Sequence, residues 1–283
     1  MDGRIEEALK AAMKDRWGEI LLKLLEKQEN QYIYTSTLKG ANVQVNVLIS
    51  GFNPVAESAE IKTITAFVHP NLLIIYDYFP ICVENVMYAG LVQEYYSKTL
   101  WRELEDRRRN KYPWNEEELW RYARELADVM GFMQWQGRYH GNIRPQSIYV
   151  AWDKGIKVGG WLDHFNAKNR HSLSIFNPYK ADTKALGKIL LGMCLLEWDN
   201  GSGNTAQRLS RLHCSEEFKG LLMWMLQDEE RSRCDCMDLH YHLNPELERL
   251  EVLLEDVAEE IEENLHTNLA YTVRPSVGGR KES

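Results

Sequence analysis

The sequence predicts a mixed α+β chain in which a small strand-rich part precedes a larger helical part. Three patterns carry that expectation. Val43, Val45, Val47 and Ile49 occupy alternate positions, the period of a half-buried strand, and residues 31–38 read as its neighbour across the turn Lys39-Gly40-Ala41-Asn42. Beyond residue 115 the period changes to three and four, with Leu119, Ala123, Leu126, Ala127, Met130 and Met133 forming one helical stripe. Residues 182–191 are apolar almost all round after Lys188, as a buried helix is.

Taken in order, residues 2–27 place Ile5, Leu9, Met13, Trp17, Ile20, Leu21 and Leu24 on one face of an amphipathic helix. The two strands follow. Asn53 suits a helix cap and Pro54 its first turn, and that helix is expected to run to Val68. Residues 91–96 read as a strand, and Asn115-Glu116-Glu117-Glu118 is a capping-box pattern that opens the long helix. Residues 200–204 are a loop by composition, and Ser215 caps a helix with Phe218, Leu221, Leu222, Met225 and Leu226 inward. Residues 245–265 repeat Leu247, Leu250, Leu254, Val257, Ile261 and Leu265 at threes and fours against an acidic remainder, a narrow seam of coiled-coil type. Residues 266–283 read as a disordered tail.

Composition bounds the function. Of 283 residues, 44% are apolar and 11% aromatic, enough for a buried core. The net charge of −8 argues against nucleic acid as a partner, because phosphate binding relies on clustered Lys and Arg. The basic run Arg107-Arg108-Arg109 with Lys111 follows Glu103, Glu105 and Asp106 and reads as a solvated loop. The first seven residues carry acids where a signal peptide needs an apolar core, and no run approaches the ~20 apolar residues of a membrane span. A soluble, cytoplasmic protein is expected. Five cysteines fit a reducing compartment. His213, Cys214, Cys234, Cys236, His240 and His242 include soft metal ligands, but their spacing matches no zinc pattern, and no metal is expected.

Several segments carry a further signal through their order. His140-Gly141-Asn142-Ile143-Arg144-Pro145-Gln146-Ser147-Ile148-Tyr149-Val150 resembles the catalytic loop of the protein kinase family, His-Arg-Asp-Leu-Lys-Pro-x-Asn followed by an apolar strand. Asn142 stands for the Asp that handles the substrate hydroxyl and Ser147 for the Asn that holds magnesium. Val47-Leu48-Ile49-Ser50 resembles the third strand, with Ser50 in place of the ATP-orienting lysine. His69-Pro70-Asn71-Leu72-Leu73 resembles the segment after the regulatory helix, and counting back gives Glu60 as the acid that pairs with that lysine. Leu91-Val92-Gln93-Glu94-Tyr95-Tyr96 resembles the strand and hinge between the lobes, with Gln93 as gatekeeper. Ile156-Lys157-Val158-Gly159-Gly160-Trp161-Leu162 falls at the Asp-Phe-Gly motif with Gly160 for the metal-binding Asp, although paired glycines in a strand also mark bulges. Residues 163–179 are short for an activation segment and lack Ala-Pro-Glu. Residues 182–191 resemble the central helix of the C-lobe, with Asp182 as the buried aspartate that accepts hydrogen bonds from the catalytic-loop backbone, and Arg233 falls at the late C-lobe arginine.

The resemblance implies a bilobal protein kinase-like fold over residues 31–244. Its small β-rich N-lobe would be remodelled, with the first strand and Gly-rich loop missing, and its C-lobe helical. A helical extension (1–30), the acidic helix (245–265) and the tail (266–283) would flank it. His140, Trp161, Ile64 and Ile75 fall where the family stacks an apolar spine. With Ser50, Asn142, Ser147 and Gly160 at the chemical positions, a carboxamide cannot serve as base, and the resemblance implies a pseudokinase that binds neither ATP nor magnesium. The expected role is a scaffold or allosteric regulator of protein partners, an active kinase or signalling protein among them, with a homodimer through the terminal helices as one arrangement. Two alternatives stand beside it: a nucleotide-binding pseudokinase that uses hinge residues Gln93, Glu94, Tyr95 and Tyr96, and an atypical active kinase with relocated residues.

Overall fold

The computed structural model describes residues 2–28, 31–38, 40–49, 67–151, 155–160, 177–198 and 204–246. Its elements are α1 (Asp2–Trp17), β1 (Lys23–Gln28), β2 (Gln31–Leu38), β3 (Ala41–Ile49), β4 (Ile75–Val83), β5 (Val86–Glu94), α2 (Leu100–Asn110), α3 (Glu116–Trp135), β6 (Ile148–Val150), β7 (Ile156–Val158), α4 (Pro178–Leu195), α5 (Thr205–Leu209), α6 (Glu216–Met225), a 3-10 turn at Glu230–Ser232 and α7 (Cys236–Leu243). The chain divides into a unit Met1–His240 and a second, Tyr241–Ser283, described only as far as Glu246. The expected helix after Asn53, the activation-segment region and the acidic helix beyond Glu246 lie outside the described residues. No described helix is long and apolar enough to cross a membrane.

An α+β architecture is observed: strands β1 to β5 form one antiparallel sheet in the order β1-β2-β3-β5-β4, and most helices follow it in sequence. Alternation sorts the sheet's two faces. Tyr32, Tyr34 and Leu38 of β2, Val43, Val45 and Val47 of β3, Phe79, Ile81 and Val83 of β4, and Tyr88 and Val92 of β5 belong to one buried cluster. Ile5, Leu9 and Met13 of α1 complete it, each with no exposed surface. The opposite face carries Gln44, Asn46 and Gln93, also buried.

The helix expected over residues 2–27 ends at Trp17. Gly18 takes φ +82, a left-handed conformation that suits glycine, and its N–H closes the last turn on the Lys14 carbonyl at 2.9 Å. Just before it, Asp77 of β4 takes Arg16 Nη1 at 2.9 and 3.1 Å and Trp17 Nε1 at 3.0 Å. Leu24 belongs to a strand rather than to that helix: β1 pairs antiparallel with β2, so the sheet holds a strand before the pair read from the sequence. The connecting residues Glu29-Asn30 contain no glycine. Because α1 spends its apolar face on the sheet, that face is not available for the terminal-helix dimer.

Local chemistry accounts for the other elements. Glu84 and Asn85, both at positive φ, make the two-residue turn between β4 and β5. Thr99 caps α2 by accepting the Arg102 N–H, and the capping box of α3 is complete, with Asn115 and Glu118 each bonded to the other's backbone. The basic run is the last turn of α2 rather than a solvated loop, since cations suit a helix C-terminus. Arg107 is largely buried there: it reaches Glu103 at 2.7 Å and Glu118 at 3.0 Å and lies 4.5 Å over the Trp114 ring. Asn177 caps α4 ahead of Pro178, and Ser215 caps α6.

Leu9→Ala should lower the unfolding free energy by about 2–5 kcal/mol in a urea titration, the cost of emptying a fully buried leucine site. Glu7→Ala, on the exposed side of the same helix, should stay within about 0.5 kcal/mol. Equal midpoints for the two variants would mean that α1 does not dock on the sheet.

Candidate functional site

The described site is built around the loop between α3 and β6. Asp182, on the second turn of α4 and 3% exposed, points both carboxylate oxygens at that loop. Oδ2 accepts the His140 N–H at 2.7 Å and Oδ1 the Gly141 N–H at 2.9 Å. Burial pushes its carboxyl up to about 6, against the pull of those two donors. The His140 ring, fully buried, lies 3.0 Å from the Gly159 carbonyl through Nε2. A carbonyl only accepts, so Nε2 carries the proton and Nδ1 accepts the Asn142 N–H at 3.3 Å. One aspartate and one histidine thus fix residues 140–142.

The next residues close on themselves. Ser147 Oγ accepts the Arg144 N–H at 3.0 Å and donates to the Arg144 carbonyl at 2.7 Å, so its hydroxyl is spent within its own turn. The Ser147 carbonyl takes the Gly159 N–H at 2.8 Å, which joins the turn to the end of β7. Gly159 has a packing reason: a Cβ there would stand 2.3 Å from Leu73 Cδ1 and 3.3 Å from the Tyr149 ring. Gly160 follows at φ +77 and offers no side chain. Among the described residues, these two positions offer no carboxylate or carboxamide oxygen: the Ser147 hydroxyl is engaged by Arg144, and Gly160 has no side chain.

Above the loop, Gln93 is 3% exposed and pairs in register with Gln44 of β3 and Ile75 of β4. Gln44 Nε2 donates to Asn46 Oδ1 at 2.8 Å, giving the inner sheet face buried carboxamides. Glu94 is partly buried, and the Tyr96 ring sits 6.4 Å from that of Tyr149. Ile75 is buried like His140, but Ile64 and Trp161 lie outside the described residues, as do Ser50 and Glu60.

The partner of Arg233, which the sequence leaves open, is given by geometry. Arg233 binds backbone: Nε reaches the Gln227 carbonyl at 2.7 Å, Nη2 the Asp228 carbonyl at 3.2 Å and Nη1 the Lys180 carbonyl at 3.3 Å. Among the described residues no three His, Cys, Asp or Glu side chains are placed to hold a metal. Burial pushes the Cys234 thiol up to about 12 and Cys236 well above its ordinary value, and Cys236 Sγ donates to the Tyr179 carbonyl at 3.3 Å.

Sequence reasoning missed His69-Asp128-His240. Asp128 of α3 receives His69 Nε2 at 3.2 Å and faces His240 Nδ1 at 3.4 Å, and the His69 hydrogen bond lowers its carboxyl below the usual range. The three residues are far apart in sequence, and no local spacing announces them. No protein-family model matches the chain, and no curated protein matches it significantly.

Asp182→Ala should cost roughly 1–3 kcal/mol at pH 7, since it orphans the buried His140 N–H, while the Gly141 N–H lies on an exposed residue. Asn142→Ala, at a partly exposed position, should cost far less. Because the folded carboxyl near 6 lies above the unfolded value near 3.9, the folded state binds the extra proton between them, and stability falls as pH rises through that window. The advantage of wild type over Asp182→Asn should therefore shrink by roughly 2–3 kcal/mol between pH 4 and pH 7, and a constant difference would refute the assignment. Gly159→Ala should destabilise by about 1–3 kcal/mol, and a double-mutant cycle with Leu73→Ala should recover part of that loss. Strict additivity would show that the two sites do not touch.

Proposed function

We propose that this chain is a protein kinase-like protein with two lobes, the five-stranded sheet and the helical part, that transfers no phosphate and acts as a binding scaffold or allosteric regulator of other proteins. The observation that carries the reading is the bond pair from Asp182 to the His140 and Gly141 N–H groups, which maintains the shape of a catalytic loop around an Asn142 that cannot take a proton. The sheet and hairpins preceding α2 and α3, in the order a kinase-like chain requires, support it. So does the presence of β1, which makes β3 the third strand, where the Val47-to-Ser50 segment was expected to lie.

The chemistry around the loop agrees. General-base help is worth roughly 10²–10⁴ in rate, and Asn142 offers none. Ser147 is occupied by Arg144, Gly160 is bare, and Gln44, Asn46 and Gln93 furnish the inner sheet face with carboxamides rather than charge. What the residues retain is shape, and shape suits recognition of a protein surface.

Millimolar ATP with magnesium should leave the melting temperature of the full chain within about 1 °C, and radiolabelled phosphate transfer to itself or to a generic protein substrate should stay at the blank. A ligand at a hundred times its dissociation constant stabilises by about 2.7 kcal/mol, a shift of roughly 5–10 °C at about 2–4 °C per kcal/mol. A rise of that size would sink the empty-pocket reading. If it persisted in EDTA without turnover, the nucleotide-holding alternative would replace it.

A further inference from the structure

Two described crossings tie the sheet to the helical part: residues 67–74, which lead into β4, and residues 95–99, which carry the chain from β5 to α2. Both are tied to the same hairpin. On one edge, Leu72 bridges Val158 in parallel, the Leu73 N–H donates to the Val158 carbonyl at 2.9 Å, the Val158 N–H to the Asn71 carbonyl at 2.7 Å, and Asn71 Nδ2 to the Ile156 carbonyl at 3.1 Å. On the other, Thr99 bridges Tyr149 and the Val150 N–H donates to the Lys98 carbonyl at 2.9 Å. The β6–β7 hairpin is therefore gripped on both sides.

Two pins leave rotation about the line that joins them. A third contact, from His69 to Asp128 at 3.2 Å, falls on α3, a different element, and opposes that rotation. Glu94 connects the two crossings. Its N–H donates to the Ile74 carbonyl at 3.0 Å, its Oε2 accepts the Ile74 N–H at 3.0 Å, and the same oxygen lies 3.5 Å from Lys157 Nζ on β7. Both side chains of this ion pair are 17% exposed, so water screens it less than a surface pair.

We infer that these contacts form a clasp that holds the sheet on the helical part in one orientation, and that the Glu94–Lys157 pair sets how often it opens. The clasp rests on the contacts alone, not on the kinase-like reading. If the protein is a scaffold, a partner that touches both parts meets one preformed surface and spends no binding energy ordering it.

Hydrogen exchange on the full chain tests this. The Leu73, Ile74, Val150 and Val158 amides should exchange within about tenfold of the Val129 and Met130 amides in the core of α3, because opening a clasp of this kind needs sub-global unfolding. Lys157→Met leaves the Glu94 charge partly buried and unpaired, and should speed exchange at Leu73 and Ile74 at least tenfold while Val129 and Met130 stay unchanged. Adding Glu94→Gln, which is neutral and still accepts the Ile74 N–H, should restore most of the protection. Three results would each overturn the proposal: crossing amides a hundredfold faster than α3 in wild type, no local change in Lys157→Met, or an equal acceleration everywhere that marks a loss of global stability only.

Discussion

The structure depends on a buried carboxylate whose two oxygens each hold a backbone N–H. Asp182 would be costly to bury alone, and the buried His140 N–H would be costly to leave unpaired, so each makes the other tolerable, and the Gly141 N–H fills the second oxygen. Once residues 140 and 141 are held, the His140 ring must find its own partners, which are the Gly159 carbonyl and the Asn142 N–H. Gly159 in turn bonds Ser147 and stands too close to Leu73 for any side chain of its own. One aspartate on α4 thereby sets the loop, the hairpin behind it and the segment that leads into β4.

The sheet is organised by a different force. Its outer face is apolar and is covered by α1 through Ile5, Leu9 and Met13, while the Asp77 clamp on Arg16 and Trp17 fixes where that helix ends. Its inner face carries Gln44, Asn46 and Gln93. Buried carboxamides need hydrogen bonds and hold no charge, and the bond from Gln44 to Asn46 supplies one of them. The burial of α1 means that its apolar stripe is in use within the chain.

Elements governed by neighbouring residues were legible. The capping box at Asn115, the cap at Ser215, the stripe of α3 and the alternation of β3 each express an interaction within a few positions. The boundary of α1 was misread because Ile20, Leu21 and Leu24 satisfy a helical period by coincidence; Gly18 and the pairing of β1 with β2 decide otherwise. The basic run was misread for a similar reason, since nothing local shows that Arg107 lies between Glu103, Glu118 and Trp114.

By itself the sequence determined which chemical groups the chain possesses: a carboxamide at 142, a hydroxyl at 147, no side chain at 160 and an aspartate at 182. No fold can change those groups. Only the tertiary structure decided how the groups are spent, because that depends on partners tens of residues away. It turned the Ser147 hydroxyl onto Arg144, gave Arg233 three backbone carbonyls in place of an acid, and brought His69 and His240 to Asp128. Hydrogen bonds are short-ranged and directional, so such pairings exist only once the chain has folded, and no spacing within the sequence encodes them.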